Sequence, residues 1–456
     1  MATSTVASSR SRTPPTIKGW NPLRTTLAFR QDPLRFLLQL SQQCGDISQW
    51  RLLAWPVYHV NHPDYIKYIL QSNHPNYNKD LILYKIATPL LGHGLLTSDG
   101  DFWLRQRRLI QPAFHRQKVI GFARLMTDAT LAMLDQWEST AKVGQQIDVA
   151  QEMMHLTLRI VAQALFSTDI SQDVPAFAVA FNRANSFLGK YLSFPFPPLQ
   201  VPTPGNRRFH ADLNVLDQVV YQIIRERRQS KEEKSDLLSM LLSAVDEETA
   251  EGMDDHQLHD EILTLLLAGN ETTAMALSWL WYLLAEHPAV EARLHAELAT
   301  ALAGRVPTVE DLPNLPYTRM VFEEAMRLYP PAWFLMRKAI KEDTIGDYPI
   351  PANAFVSFSA YTMHRHPAFW DEPERFDPER FTPERSANRP HYAYIPFGGG
   401  PRLCIGNGFA MLEGQLILAT VAQRYRFSLV PGHAVTPEPA LTLRTRAGVR
   451  VTVHRR

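Results

Sequence analysis

Cys404 closes a run, Phe397-Gly398-Gly399-Gly400-Pro401-Arg402-Leu403-Cys404-Ile405-Gly406, that sets three glycines, a proline and an arginine before one of the chain's two cysteines. Glycines in that position let the backbone curl so that its N–H groups face the sulfur. The stretch Asn407–Glu413 that follows reads as a helix, and a sulfur at a helix mouth gains thiolate stability from the dipole. Such a cysteine is suited to staying deprotonated and binding something; the alternative is a buried cysteine in a turn. Three more groupings carry chemistry. Trp103 and Arg107 fall one turn apart on a helix and present an indole N–H and a guanidinium on one face. Glu324 and Arg327, at i and i+3, can form an ion pair. Glu271 and Thr272 lie in Ala268-Gly269-Asn270-Glu271-Thr272-Thr273, a string of poor helix formers inside a good helix, and such conflicts are where function is expected.

The elements that must position these residues can be read from pattern. Residues from about His256 to His287 contain no proline and are rich in Leu, Ala and Trp, so they predict one helix of about 45 Å. Leu34–Gln43 reads as an amphipathic helix, Ile47–Leu52 and Val57–Val60 as strands, and helical patterns dominate from Asp101 to Leu302. Strand patterns return at Pro349–Phe358, Thr442–Thr445 and Val449–Val453. The chain has 456 residues, is 45% hydrophobic and 20% charged, and carries a formal net charge of +1, which argues against a nucleic-acid partner. No repeat or shift of composition divides it. The expected fold is mainly α with small β-sheets, a single domain over residues 19–456 behind a disordered leader of residues 1–18. Two cysteines fit a reducing compartment, with Cys44 structural at a helix end. No run of roughly 18–20 apolar residues is present, so a soluble, cytoplasmic protein without a transmembrane anchor is expected.

The Phe-x-x-Gly-x-Arg-x-Cys-x-Gly spacing resembles the haem-binding loop of the cytochrome P-450 family of haem-thiolate monooxygenases, and the resemblance extends from about Trp20 to Val453. It implies haem b with Cys404 as axial thiolate, whose electron push favours O–O cleavage. Phe397 would shield the sulfur, and Gly400 and Gly406 would let backbone approach the macrocycle. Trp103, Arg107, Arg337 and Arg402 would receive the haem propionates. Glu324, Arg327 and Arg380 resemble the family's buried structural triad, although Arg375 repeats the wording. Ala268–Thr273 resembles the locally opened oxygen pocket, with Thr272 bonding dioxygen and Glu271 relaying protons through water. Ala268 stands where some ω-hydroxylases carry a glutamate that tethers haem, so no covalent haem ester is expected.

By the same analogy the substrate pocket draws on Leu81, Ile86, Phe187, Leu265, Ala332, Trp333 and Leu443, with the Pro-rich 194–204 segment as a lid. An apolar pocket implies a lipophilic small-molecule substrate such as a fatty acid, terpenoid or steroid; the Arg327–Trp333 and Gly94–His115 wording is similar to fatty-acid hydroxylating branches. The chain ends close behind Cys404, so electrons from NAD(P)H are expected through a separate ferredoxin or flavodoxin-like donor with its reductase. That donor would dock near Arg105, Arg108 and Arg116. Rival readings are a peroxide-driven haem-thiolate hydroxylase, a non-catalytic haem sensor, and a haem-free helical interaction protein.

Overall fold

Asp254 opens the longest helix by accepting the Gln257 N–H at 2.7 Å, and Asp255 adds negative charge to the first turn. The helix runs Asp255–Glu286 and stops ahead of Pro288. Its ends lie within one residue of the sequence expectation. In this computed structural model the described residues are 13–140, 144–167, 175–193, 196–230 and 234–456. The longer helices are α1 (Pro22–Gln31), α2 (Pro33–Cys44), α3 (Ile82–Leu91), α4 (Gly100–Ile110), α5 (Ala123–Ser139), α6 (Val149–Phe166), α7 (Pro175–Ser193), α8 (Pro204–Gln229), α9 (Asp255–Glu286), α10 (Pro288–Leu302), α11 (Pro316–Leu328) and α12 (Asn407–Arg424).

Helix α9 is the axis of the main core and lies against α6, α8, α11 and α12. From Gln257 to Leu284 it is buried except at Ala268, Gly269, Thr272 and Tyr282. Contrary to the expected local opening, α9 is continuous through Ala268–Thr273. Side chains offset the poor propensity there. Thr272 Oγ1 donates to the Ala268 carbonyl at 2.6 Å, and Thr157 Oγ1 on α6 donates to Asn270 Oδ1 at 2.8 Å. Gly269 answers to α6 as well, since a Cβ there would stand 2.8 Å from Val161 Cγ2.

The strands are β1 (Ile47–Leu52), β2 (Trp55–Val60), β3 (Tyr77–Asn78), β4 (Gln146–Asp148), β5 (Leu335–Ala339), β6 (Asp343–Ile345), β7 (Tyr348–Ile350), β8 (Phe355–Phe358), β9 (Tyr425–Leu429), β10 (Pro437–Pro439), β11 (Leu443–Thr445) and β12 (Arg450–Arg455). The largest sheet has the order β1-β2-β8-β5-β3, with β2 and β8 parallel; β4-β12-β9 form a second sheet, and β6–β7 and β10–β11 are hairpins. Small sheets on a helical body agree with the expected class.

The leader expectation needs correction. Residues 1–12 lie outside the described residues, but Pro14 and Ile17 are buried and the Pro15 carbonyl accepts the Gln49 N–H at 2.9 Å. Residues 13–18 therefore pack along β1, because Ile17 completes an apolar cluster with Leu37, Leu40 and Trp50. Among the described residues no helix is long and apolar enough to cross a membrane.

Candidate active site

The cysteine loop is a tight turn held by its own backbone. Cys404 N–H donates to the Phe397 carbonyl and Leu403 N–H to the Gly400 carbonyl, both at 3.0 Å, and α12 begins at Asn407. The sulfur is accessible yet lies deep within protein. Burial pushes the Cys404 thiol up, opposed by the Gly406 N–H at the sulfur and by the Arg107 guanidinium. These are the two groups that favour a thiolate. Phe397 is half-buried beside a depression of about 400 Å³ shared with Arg319, Glu323, Tyr394, Asn407, Gly408, Met411 and Gln415. The chain's own packing calls for one of the two glycines in this loop. Gly400, at φ +65°, is required by the chain itself, since a Cβ would stand 1.8 Å from the Leu70 carbonyl oxygen. Gly406 has an ordinary φ of −88° and would bring a Cβ no nearer than 3.9 Å to Phe114.

Cations gather beside this loop. Arg402 stacks over the buried Trp103 ring at 4.0 Å and pairs with Asp99. Arg107 Nη1 reaches across to the Leu403 carbonyl at 2.9 Å. Arg337, buried on β5, bonds the Met336 carbonyl. Lys79, which the sequence reading missed, joins them: its Nζ donates to the Leu96 carbonyl at 3.0 Å and its backbone N–H is held by Asp99. Burial, then the like charges of Arg337 and Arg402, hold Lys79 well below the usual lysine range, and Arg402 is brought down to about 10. Half-buried Lys79 and Arg402 and buried Arg337 repel one another, Asp99 offsets the first two, and the group would accept more negative charge.

The structure brings Glu324, Arg327 and Arg380 together. Glu324 and Arg327 are fully buried and form a two-pronged pair at 2.6 and 2.8 Å, with Arg380 Nε 3.3 Å from Glu324. Arg375 instead forms an exposed pair with Glu372. Arg327 also donates to the carbonyls of His364, Pro373 and Arg375, so one guanidinium gathers the irregular segment ahead of the cysteine loop. His364, another residue the sequence did not flag, bonds the Arg327 carbonyl through Nδ1 and accepts the Ile395 N–H through Nε2. Burial keeps its ring neutral, well below the usual histidine range.

On α9 the accessible patch at Ala268, Gly269 and Thr272 interrupts an otherwise buried face. Glu271 departs from expectation. It is fully buried and faces another direction, held by Arg444 and Thr442 of the β10–β11 hairpin and by Asn185 Nδ2 of α7 at 2.7 Å. Burial pushes its carboxyl up, but these partners outweigh it and leave the pKa lowered. Glu271 is thus an ionised pin between three elements rather than a water-facing acid.

Of the pocket candidates, Ile86, Phe187 and Leu265 belong to the main core where α3 meets α7 and α9. Leu81 is buried at the N-cap of α3, and Ala332 is half-buried ahead of β5. Trp333 and Leu443 need correction. Both belong to the apolar cluster with α2 and β1, and they serve the hairpin: Trp333 Nε1 bonds the Ala440 carbonyl, while Leu443 offers its carbonyl to Trp279 Nε1 at 2.9 Å. In the proposed lid, Phe194 and Pro195 lie outside the described residues and Phe196 is exposed. Arg105 and Arg108 are engaged with Gly252, Asp246 and Glu248, which leaves exposed Arg116 of the three basic candidates.

A thiolate-capable sulfur, an accessible patch on α9 and a knot of under-neutralised cations fit an iron macrocycle that carries two carboxylates. Among the described residues no cluster of His, Cys, Asp or Glu offers a competing metal site. The Cytochrome P450 family profile matches residues 14–452. Cyclooctatin synthase of Streptomyces melanosporofaciens is 40% identical over 422 residues, covering 91% of this chain and 90% of that protein. Pentalenene oxygenase of Streptomyces avermitilis is 33% identical, with 90% of each covered. Among solved structures, the cytochrome P450DA heme domain superposes with a TM-score of 0.87 at 29% identity, covering 98% of both chains. From the cysteine loop to the buried triad, sequence and structure agree that this chain belongs to the cytochrome P450 family of monooxygenases.

Proposed function

We propose that this chain oxygenates a terpenoid hydrocarbon or terpenoid alcohol, taking electrons from a separate ferredoxin and its reductase. The observation that carries the substrate class is the relatives' own activity, as their names give it: a cyclooctatin synthase and a pentalenene oxygenase. The walls support it. Ile86, Phe187, Leu265 and Ala268 are apolar, and Arg444, which reaches α9 from the hairpin, is committed to Glu271. A fatty acid would bring a carboxylate that this arrangement does not invite, so the fatty-acid reading ranks second.

The family's cofactor supplies reductive splitting of dioxygen, one atom going into a substrate C–H bond and the other leaving as water. Cys404 Sγ is the residue that would hold its iron, and Lys79, Arg337, Arg402 and Trp103 would hold its carboxylates. Thr272 Oγ1 is the proton-handling atom on the distal face: its hydrogen bond to the Ala268 carbonyl fixes the hydroxyl's direction and leaves its lone pairs to the patch. An acidic donor would dock on the face of the cysteine loop, where Arg116 and Lys118 are exposed, while Arg319 beside Phe397 is paired with Glu323.

Titrating the haem-loaded protein with cyclic terpenes, terpenoid alcohols, steroids and fatty acids, and following the haem spin state, tests the substrate class. Terpenoids should saturate the shift at the lowest concentrations; saturation by fatty acids with no response to terpenoids would sink the reading. Thr272→Ala should keep binding intact and lower product formed per NAD(P)H consumed by about tenfold or more.

A further inference from the structure

Residues Tyr68–Ser72 form a π-turn, closed by the Asn73 N–H donating to the Tyr68 carbonyl at 2.8 Å. A π-turn carries one residue more than an α-turn, is rarely stable alone, and marks functional segments. Here something outside holds it open. Asp343, the first residue of β6, accepts Tyr68 Oη at 2.8 Å on one oxygen and Asn73 Nδ2 at 2.9 Å on the other. It thereby grips both ends of the turn with one carboxylate. Tyr77 Oη adds a bond at 2.6 Å, and Asn73 Nδ2 also donates to Tyr68 Oη. Burial pushes the Asp343 carboxyl up, but these donors and the Thr344 N–H outweigh it and keep it ionised.

The middle of the turn faces the glycine loop. The Leu70 carbonyl lies where a Gly400 side chain would be, and Gln71 Oε1 accepts Tyr392 Oη at 3.0 Å. Tyr392 in turn receives the Gly400 N–H and packs on Gly399, where a Cβ would stand 2.5 Å from its ring. The glycine stretch is confined between a backbone carbonyl on one side and a tyrosine on the other. Gly400 then bonds Leu403, the residue before the cysteine.

We propose that Asp343 is a positioning residue for the Cys404 thiolate: by holding the π-turn open it sets the Leu70 carbonyl and Gln71 against Gly400 and fixes the cysteine loop from outside the site. This rests on Cys404 being the iron ligand. Loss of the carboxylate lets the turn tighten by one residue, moves the Leu70 carbonyl, and frees the glycine loop to shift. The sulfur then holds its metal less firmly, although no residue touching it has changed.

The test compares haem-loaded wild type with Asp343→Asn, Tyr68→Phe and Tyr77→Phe. The readouts are the red-shifted band of the reduced carbon monoxide complex and its rate of loss on mild warming, below the melting temperature of each variant. Asp343→Asn should speed loss of that band about fivefold or more, as expected for a local bond worth roughly 1 kcal/mol. Tyr68→Phe, which grips one end of the turn, should give a smaller change in the same direction, while Tyr77→Phe should lower melting with little change in the band. Tyr68→Phe keeps the proposal testable if Asp343→Asn does not fold. Melting that falls in both turn variants while the band's decay matches wild type would overturn it. A wild type that shows no such band would instead overturn the assignment of Cys404.

Discussion

Glu324→Ala should leave little folded protein able to take up haem. Glu324 and Arg327 are both fully buried, and Arg380 is nearly so. Removing the acid strands two guanidinium groups in the interior, and breaking a buried pair from one side typically costs about 3–5 kcal/mol. That is a large part of the roughly 5–15 kcal/mol that holds a domain together. The damage would reach further than the pair, because Arg327 gathers the carbonyls of His364, Pro373 and Arg375, and Glu324 also takes the Asp377 N–H at 2.9 Å. Denaturant midpoint and fraction of haem-loaded protein are the measurements. Arg375→Ala is the control: its side chain forms only an exposed pair with Glu372, and its loss should change stability by about 0.5 kcal/mol or less. A Glu324→Ala protein as stable as that control would contradict the bracing role.

Cys404→Ala should do the opposite, sparing the fold while ending the chemistry. The loop is held by backbone bonds, and the groups acting on the sulfur are the Gly406 N–H and the Arg107 guanidinium, so its loss should cost about 1 kcal/mol or less. Turnover should fall by about 10³-fold or more, as for the loss of a group on which the whole reaction depends, and the red-shifted reduced carbon monoxide band should vanish. An unchanged spectrum would remove Cys404 from the metal and return the chain to the haem-free reading. Together the two substitutions separate the residue that holds the metal from the residues that hold the shape around it.

The sequence made some of this legible and concealed the rest for physical reasons. Motifs local in the chain were read well. The long helix was bounded to within a residue because a proline-free apolar run ending at Pro288 is a strong local signal. Arg380 could be preferred to Arg375, but only the fold shows that Arg380 turns inward while Arg375 meets Glu372 in solvent. What failed was direction. Glu271 and Thr272 are neighbours in sequence, yet one turn of 100° sends Thr272 to the accessible patch and Glu271 to Arg444. No string of letters near Lys79 announces a cation that will meet Arg337 and Arg402. Nothing near Gly400 announces that the Leu70 carbonyl, more than three hundred residues earlier in the chain, will also demand a glycine there. Ile17 was taken for leader because a lone apolar residue shows no periodicity.

The β10–β11 hairpin has a consequence for the order in which the molecule is made. Its residues Ala440 to Arg444 bond Glu271, Trp279, Pro331 and Trp333, so they tie together pieces synthesised long before them. Domains generally organise from the N-terminus as the chain emerges, and contacts between distant residues form late. Until the hairpin arrives, Glu271 lacks its arginine and Trp279 and Trp333 lack their acceptors. A growing chain therefore presents Cys404 and its glycine loop while Glu271, Trp279 and Trp333 still lack their partners, and those three side chains settle only when the hairpin forms.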